Sequence, residues 1–151
     1  MISFEDHFDR KTGPLVRVRI HLSEARLREL RKLHRPIPQP VDVLALIDTG
    51  ADCSCINREI YRRLSPPGHG MEFDLIQSPA FGGLQITTAL DVSWIVYNPA
   101  RDHLPFLNFR GLPVIAFDLP AIGYEALIGR DILSHCQFHY DGRKGRFILS
   151  T

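Results

Sequence analysis

The segment Leu46-Ile47-Asp48-Thr49-Gly50-Ala51 has the sharpest chemical potential in the chain: an apolar run delivers a carboxylate into a turn that glycine makes possible. A carboxyl placed there keeps little solvent. Its charged form then needs hydrogen bonds or a shared proton, the condition under which a carboxyl is tuned for acid and base work. Taken alone, Asp-Thr-Gly is also ordinary turn chemistry. A second element downstream, Ala126-Leu127-Ile128-Gly129-Arg130-Asp131-Ile132-Leu133, again runs from apolar residues through glycine into a helical stretch.

These motifs need strands to position them. Val41 to Ile47, rich in β-branched residues and leucine, predicts a buried central strand leading into Asp48. Pro14 to His21 alternates Val16, Val18 and Ile20 with Arg17 and Arg19, which predicts a strand with one wet face. From Ser23 to Leu33 a short amphipathic helix is expected, capped by Ser23, with Leu22, Ala25, Leu30 and Leu33 on one face. The proline-rich run 35–40 then forms an extended connector. A second helix is expected from about Arg58 to Leu64. Met71 to Gln77 and Leu84 to Tyr97 predict a hairpin with a glycine tip at residues 78–83. Asn98 to Gly111, punctuated by proline, reads as irregular, followed by a strand from Leu112 to Phe117. Ala126 to Ile128 is a short strand, and two final strands flank the turn 141–145. Many short strands with two or three short helices indicate a mainly β, closed barrel-like domain.

With that order of elements, the chain resembles the retropepsin-like aspartic peptidases, the single-lobed relatives of pepsin. The resemblance runs from about Leu15 to the C-terminus and implies the acid-protease fold with one lobe per chain. Residues 1–13 are then an N-terminal tail and residues 14–151 the peptidase domain. By resemblance Asp48 is the catalytic aspartate, Thr49 the residue whose hydroxyl locks the paired loops across a dimer, and Gly50 the turn glycine. Ala51 and Asp52 match the stretch that meets substrate backbone. Gly129 and Arg130 match the structural support, with an ion pair expected between Asp52 and Arg130. Phe81, Gly82 and Gly83 match the flap over bound peptide, where two glycines permit hinge motion. Two features depart from the viral layout: a helix inserted between the first two strands, and a longer spacing from Asp48 to Gly129.

An aspartic peptidase uses two carboxylates that share a proton, and this chain carries one Asp-Thr-Gly. Asp42, Asp74, Asp91, Asp118 and Asp141 lack that context, and Asp131 lies beyond the glycine of the second motif. The second carboxylate is therefore expected from Asp48 of another copy on a two-fold axis, so that active site and dimer interface coincide. Such a pair titrates as a unit with one apparent pKa raised. The N-terminal segment and Arg146 to Thr151 are the candidates for an intersubunit sheet. The expected activity is hydrolysis of an extended peptide or protein substrate. A catalytically weak peptide-binding or dimerisation module is the alternative.

Composition narrows the remaining classes. With 18 Lys plus Arg against 17 Asp plus Glu, net charge is +1, so no global field draws the chain to nucleic acid or an anionic membrane. Residues 1–13 mix charges without an apolar run, so no signal peptide is expected, and the apolar stretches are too short to cross a bilayer. Three cysteines fit reduced thiols and a cytoplasmic location better than a disulfide framework. Cys53 and Cys55 with His135, Cys136 and His139 match no standard zinc spacing, so neither metal nor other cofactor is expected. The basic residues of the helix 23–33 read as a solvated face. Ser54 and His135 lack a nucleophile elbow, and no acidic cluster supports an aspartyl-phosphate enzyme.

Overall fold

Alternation at the period of a strand builds the first wall of the molecule. Val16, Val18, Ile20 and Leu22 point inward along β2 (Leu15–Leu22), and Val41, Val43, Ala45 and Ile47 do the same along β3 (Val41–Ile47). The two pair antiparallel, with Arg19 opposite Asp42. Those side chains meet on the wet face as a two-pronged ion pair, at 2.7 and 2.8 Å. β3 is central in the sheet but buried on one face only: Asp42 and Leu44 are exposed.

The computed structural model describes residues 2–65, 73–78, 83–119 and 123–151. The remaining elements are β1 (Ser3–His7), α1 (Glu24–Lys32), β4 (Cys55–Asn57), α2 (Arg58–Leu64), β5 (Phe73–Ser78) and β6 (Gly83–Asn98), followed by β7 (Arg101–Phe117), β8 (Ala126–Ile128), α3 (Arg130–Leu133), β9 (Gln137–Asp141) and β10 (Arg146–Ser150). Strands β2, β3, β8, β4, β7 and β6 follow one another around a ring that β6 closes onto β2, a six-strand barrel with β5 attached to the first half of β6. Inside lie fully buried Trp94, Val18, Ile20, Ile56, Val92, Val96 and Ile128. A separate three-stranded sheet in the order β1-β10-β9 covers one end, with Phe4 seated edge-on against Phe106 at a centroid distance of 4.8 Å.

Three expectations are corrected by this arrangement. Residues 101–117 form one long strand where Pro99 and Pro105 suggested an irregular segment from Asn98 up to Gly111. Among the described residues β7 pairs with β4 only at 115–117, so Pro105 and Pro113 sit where one edge alone is laddered, and register shifts along β6 absorb the irregularity. Helix α1 buries Leu30 and packs Leu27, whereas Ala25 and Leu33 are exposed. Its last turn ends at Leu33, and His34 directly after it adopts a φ of 53°. Finally, the N-terminal residues assigned to a tail include β1, which pairs along its length with β10 of the same chain. The two segments named for an intersubunit sheet thus meet each other within one chain.

Candidate active site

Parallel pairing of β3 with β8 brings the two motifs together. Ile47 stands opposite Ile128, so both strands release their turns at the same barrel end, and the Asp48 N–H donates to Ile128 O at 2.9 Å. The Asp-Thr-Gly turn closes on itself. Ala51 N–H donates to Asp48 O at 3.2 Å, and Gly50 N–H donates to the Asp48 carboxylate at 2.9 Å. Asp48 is half-buried, while Thr49 and Gly50 are exposed. A Cβ on Gly50 would sit 3.1 Å from Asp48 Oδ1 and press on the carboxylate.

The second motif braces the first. Arg130 N–H donates to Ala51 O at 2.9 Å, its guanidinium donates to Thr49 O at 2.8 Å, and it pairs with Asp52, as the resemblance implies. Gly129 is buried against the other loop. A Cβ there would lie 2.5 Å from the backbone carbon of Cys53, a contact that only glycine avoids.

Sequence reasoning missed a second brace. Ser54 is fully buried, and its N–H and O–H both donate to the Asp131 carboxylate, at 2.8 and 2.7 Å. Its hydroxyl oxygen in turn accepts the Gly129 N–H at 3.0 Å. Asp131 therefore holds the segment behind Asp48 through a side chain that the motif Gly-Arg-Asp did not advertise. The available signal was a carboxylate in the first turn of a helix directly after a buried glycine.

A small apolar wall lies beside these turns, also unforeseen. Cys55, Ile115, Leu119 and Leu127 pack together with Leu46, Cys53 and Tyr124 against them. Leu46 and Leu127 sit one residue from the strand ends and face away from the barrel interior, where Ile47 and Ile128 point inward. Within the wall the Cys55 thiol donates to Cys53 O at 3.4 Å. The neighbouring Cys55 side chain pulls the Cys53 thiol below its ordinary range, and the Cys53 side chain, burial and the charges of Asp131 and Asp48 push Cys55 above it.

Of the expected flap, β5 and β6 form the predicted hairpin with Ser78 opposite Gly83. Phe81 and Gly82 lie outside the described residues. His135 packs edge-on against Phe109 at 5.3 Å, while the Ser54 hydroxyl is engaged by Asp131 and Gly129. No group of three or more His, Cys, Asp or Glu residues among the described residues is placed to hold a metal ion.

A closed single-lobed barrel that presents Asp-Thr-Gly and Gly-Arg-Asp turns side by side defines an aspartic-protease-type domain. A family model for retroviral aspartyl protease matches residues 10–140. The chain belongs to that family. Its structure is similar to that of a retropepsin-like aspartic protease from Rickettsia conorii, with a TM-score of 0.59 and 13% identity over 97% of this chain and 89% of that one. It also matches the EIAV protease complexed with an inhibitor, at a TM-score of 0.48 and 21% identity over 86% of this chain and 93% of that one. No curated protein matches the chain.

Proposed function

We propose that the protein is a homodimeric aspartic endopeptidase in which two copies of Asp48 activate a water molecule. The supporting observation is Asp48 itself, a half-buried carboxylate directly after the end of β3, held by Gly50 N–H on a turn braced from Arg130. One such carboxylate lacks a partner acid in the turn that carries it; a two-fold axis through the exposed Thr49 and Gly50 supplies the second. The ionised member of the pair takes a proton from water, whose oxygen bonds to the scissile carbonyl carbon, as the protonated member donates to the carbonyl oxygen. The C–N bond then breaks and the departing amine takes the proton gained from water.

In this reading Thr49 donates its hydroxyl across the dimer, and Ala51 and Asp52 meet the substrate backbone. The wall of Leu46, Leu127 and Ile115 receives apolar side chains of an extended peptide, and the β5–β6 hairpin, with Phe81, Gly82 and Gly83 at its tip, closes over it. The free thiols of Cys53, Cys55 and Cys136 suit a reducing, cytoplasmic setting. No helix among the described residues is long and apolar enough to cross a membrane.

Turnover of a peptide library by the purified protein, with Asp48→Asn as control, tests the assignment. Cleavage by the parent and none by the variant supports it. Equal cleavage by both, or a dimer that binds peptide without cleaving it, overturns it, the second in favour of a binding module.

A further inference from the structure

Cys53 and Cys55 flank a residue that the site cannot spare. Between them Ser54, fully buried, makes the contacts to Asp131 and Gly129 that hold the segment behind Asp48. The Cys55 sulfur folds back to 3.4 Å from Cys53 O, and the two side chains share one small apolar cluster. Their exposures differ. Cys53 is partly exposed, whereas Cys55 is 4% exposed. The geometry is that of an attacking thiol at the surface with a second thiol waiting directly behind it.

We propose that Cys53 and Cys55 form a reversible oxidation site, at which a hydroperoxide closes an intrachain disulfide that switches the neighbouring site off. The Cys53 thiolate attacks the terminal peroxide oxygen, the O–O bond breaks, and the alkoxide leaves, or hydroxide where the oxidant is hydrogen peroxide, giving a sulfenic acid. The Cys55 sulfur then attacks the Cys53 sulfur, the S–O bond breaks, and the hydroxyl leaves as water with the thiol proton. The closeness of the two side chains favours these roles, since it lowers the Cys53 thiol and raises that of Cys55.

Closure has a mechanical consequence. Cys53 lies in a bend just ahead of β4, which begins at Cys55; two residues apart the Cα atoms stand at most about 6.6 Å from one another, within the roughly 6.8 Å that a disulfide spans. Drawing the sulfurs together shortens the segment around Ser54 and pulls against its bonds to Asp131 and Gly129. The resulting strain also makes the disulfide easy to reduce, as reversibility requires. Cys136 lies elsewhere, its thiol directed at Ile132 O, 3.8 Å away, and has no part in the pair.

The loss of turnover rests on the peptidase reading above; the thiol chemistry does not. The test treats the reduced full-length protein with hydrogen peroxide, alkylates the remaining thiols, and reads peptide masses, melting temperature and peptide cleavage. The expected result is loss of two hydrogens from the peptide holding residues 53–55, alkylated Cys136, a lowered melting temperature, and turnover reduced about tenfold or more, all reversed by dithiothreitol. Cys53→Ser and Cys55→Ser form no such disulfide, and Cys136→Ser responds as the parent does. Sulfinic acid at Cys53 with Cys55 still free, an interchain disulfide through Cys136, or a closed pair with unchanged melting and turnover each overturns the proposal. A reduced protein that cleaves nothing while the masses and melting shift as stated defeats the peptidase reading alone.

Discussion

Asp48 owes its placement to neighbours that a change of one atom type disturbs selectively. Asp48→Asn keeps the shape of the side chain and can still accept the Gly50 N–H, but it has no proton to share, so the fold should survive while turnover falls by about a thousandfold or more; circular dichroism and peptide cleavage read the two effects separately. Gly129→Ala should do the opposite kind of damage. Its methyl would meet Cys53 backbone at 2.5 Å, which no flexible side chain can relieve. A loss of about 3 kcal/mol is expected in a urea titration. The placing of Asp48 and Gly50 in a glycine turn at the end of an apolar run was legible in the sequence because it is local, and Gly129 and Arg130 were singled out through the resemblance. Ser54 and Asp131 were not, since their partnership joins positions 77 apart in the chain, and a buried serine looks locally like any other.

At the level of elements, the braces behind the site should matter more than their distance from Asp48 suggests. Asp131→Ala leaves the Ser54 N–H and hydroxyl without their carboxylate, at a cost of about 3 kcal/mol. Cleavage should fall even at temperatures where the variant stays folded, because the Asp48 turn loses its support. Helix α1 offers a cleaner contrast: Leu30, 2% exposed, anchors it, whereas Leu33, 53% exposed, touches little. Leu30→Ala should cost about 2–4 kcal/mol, while Leu33→Ala should stay within about 0.5 kcal/mol; thermal melting of both variants decides. Helical spacing placed both leucines on one face. The end of the helix at Leu33 and the reversal at His34 removed the second from the core, and neither is visible in periodicity. Pro105 of β7 misled for a related reason: proline forbids a ladder on the side of its missing N–H, but sequence does not say that the other side carries the pairing.

For the molecule as a whole, the proposed dimer makes activity depend on concentration. Specific cleavage activity should fall on dilution in step with dissociation measured by sedimentation, and a monomer fully active at every concentration would contradict the shared dyad. Acidity should act on stability through pairs far from the site. Arg19, hydrogen-bonded to Asp42, holds that carboxyl below its ordinary range, and the Lys144 N–H with the Lys144 and Arg146 charges does the same for Asp141. The unfolded chain then binds protons more readily than the folded one, so the stabilisation is present above about pH 4 and is lost as pH falls through the lowered values. Asp42→Asn should flatten the acid limb of a stability profile followed by denaturant unfolding.

By itself the sequence determined the strands that deliver Asp48 and Gly129, the turns they enter and the short helices, because these follow from period, side-chain branching and glycine within a few residues; the family was legible through the resemblance of its two motifs in order. Tertiary structure alone decided that β3 and β8 run parallel with Ile47 beside Ile128, that β1 joins β10 of its own chain, and that Asp131 reaches Ser54. Each of those contacts joins segments whose separate patterns are compatible with several partners. Only closure of the barrel around one core selects among them.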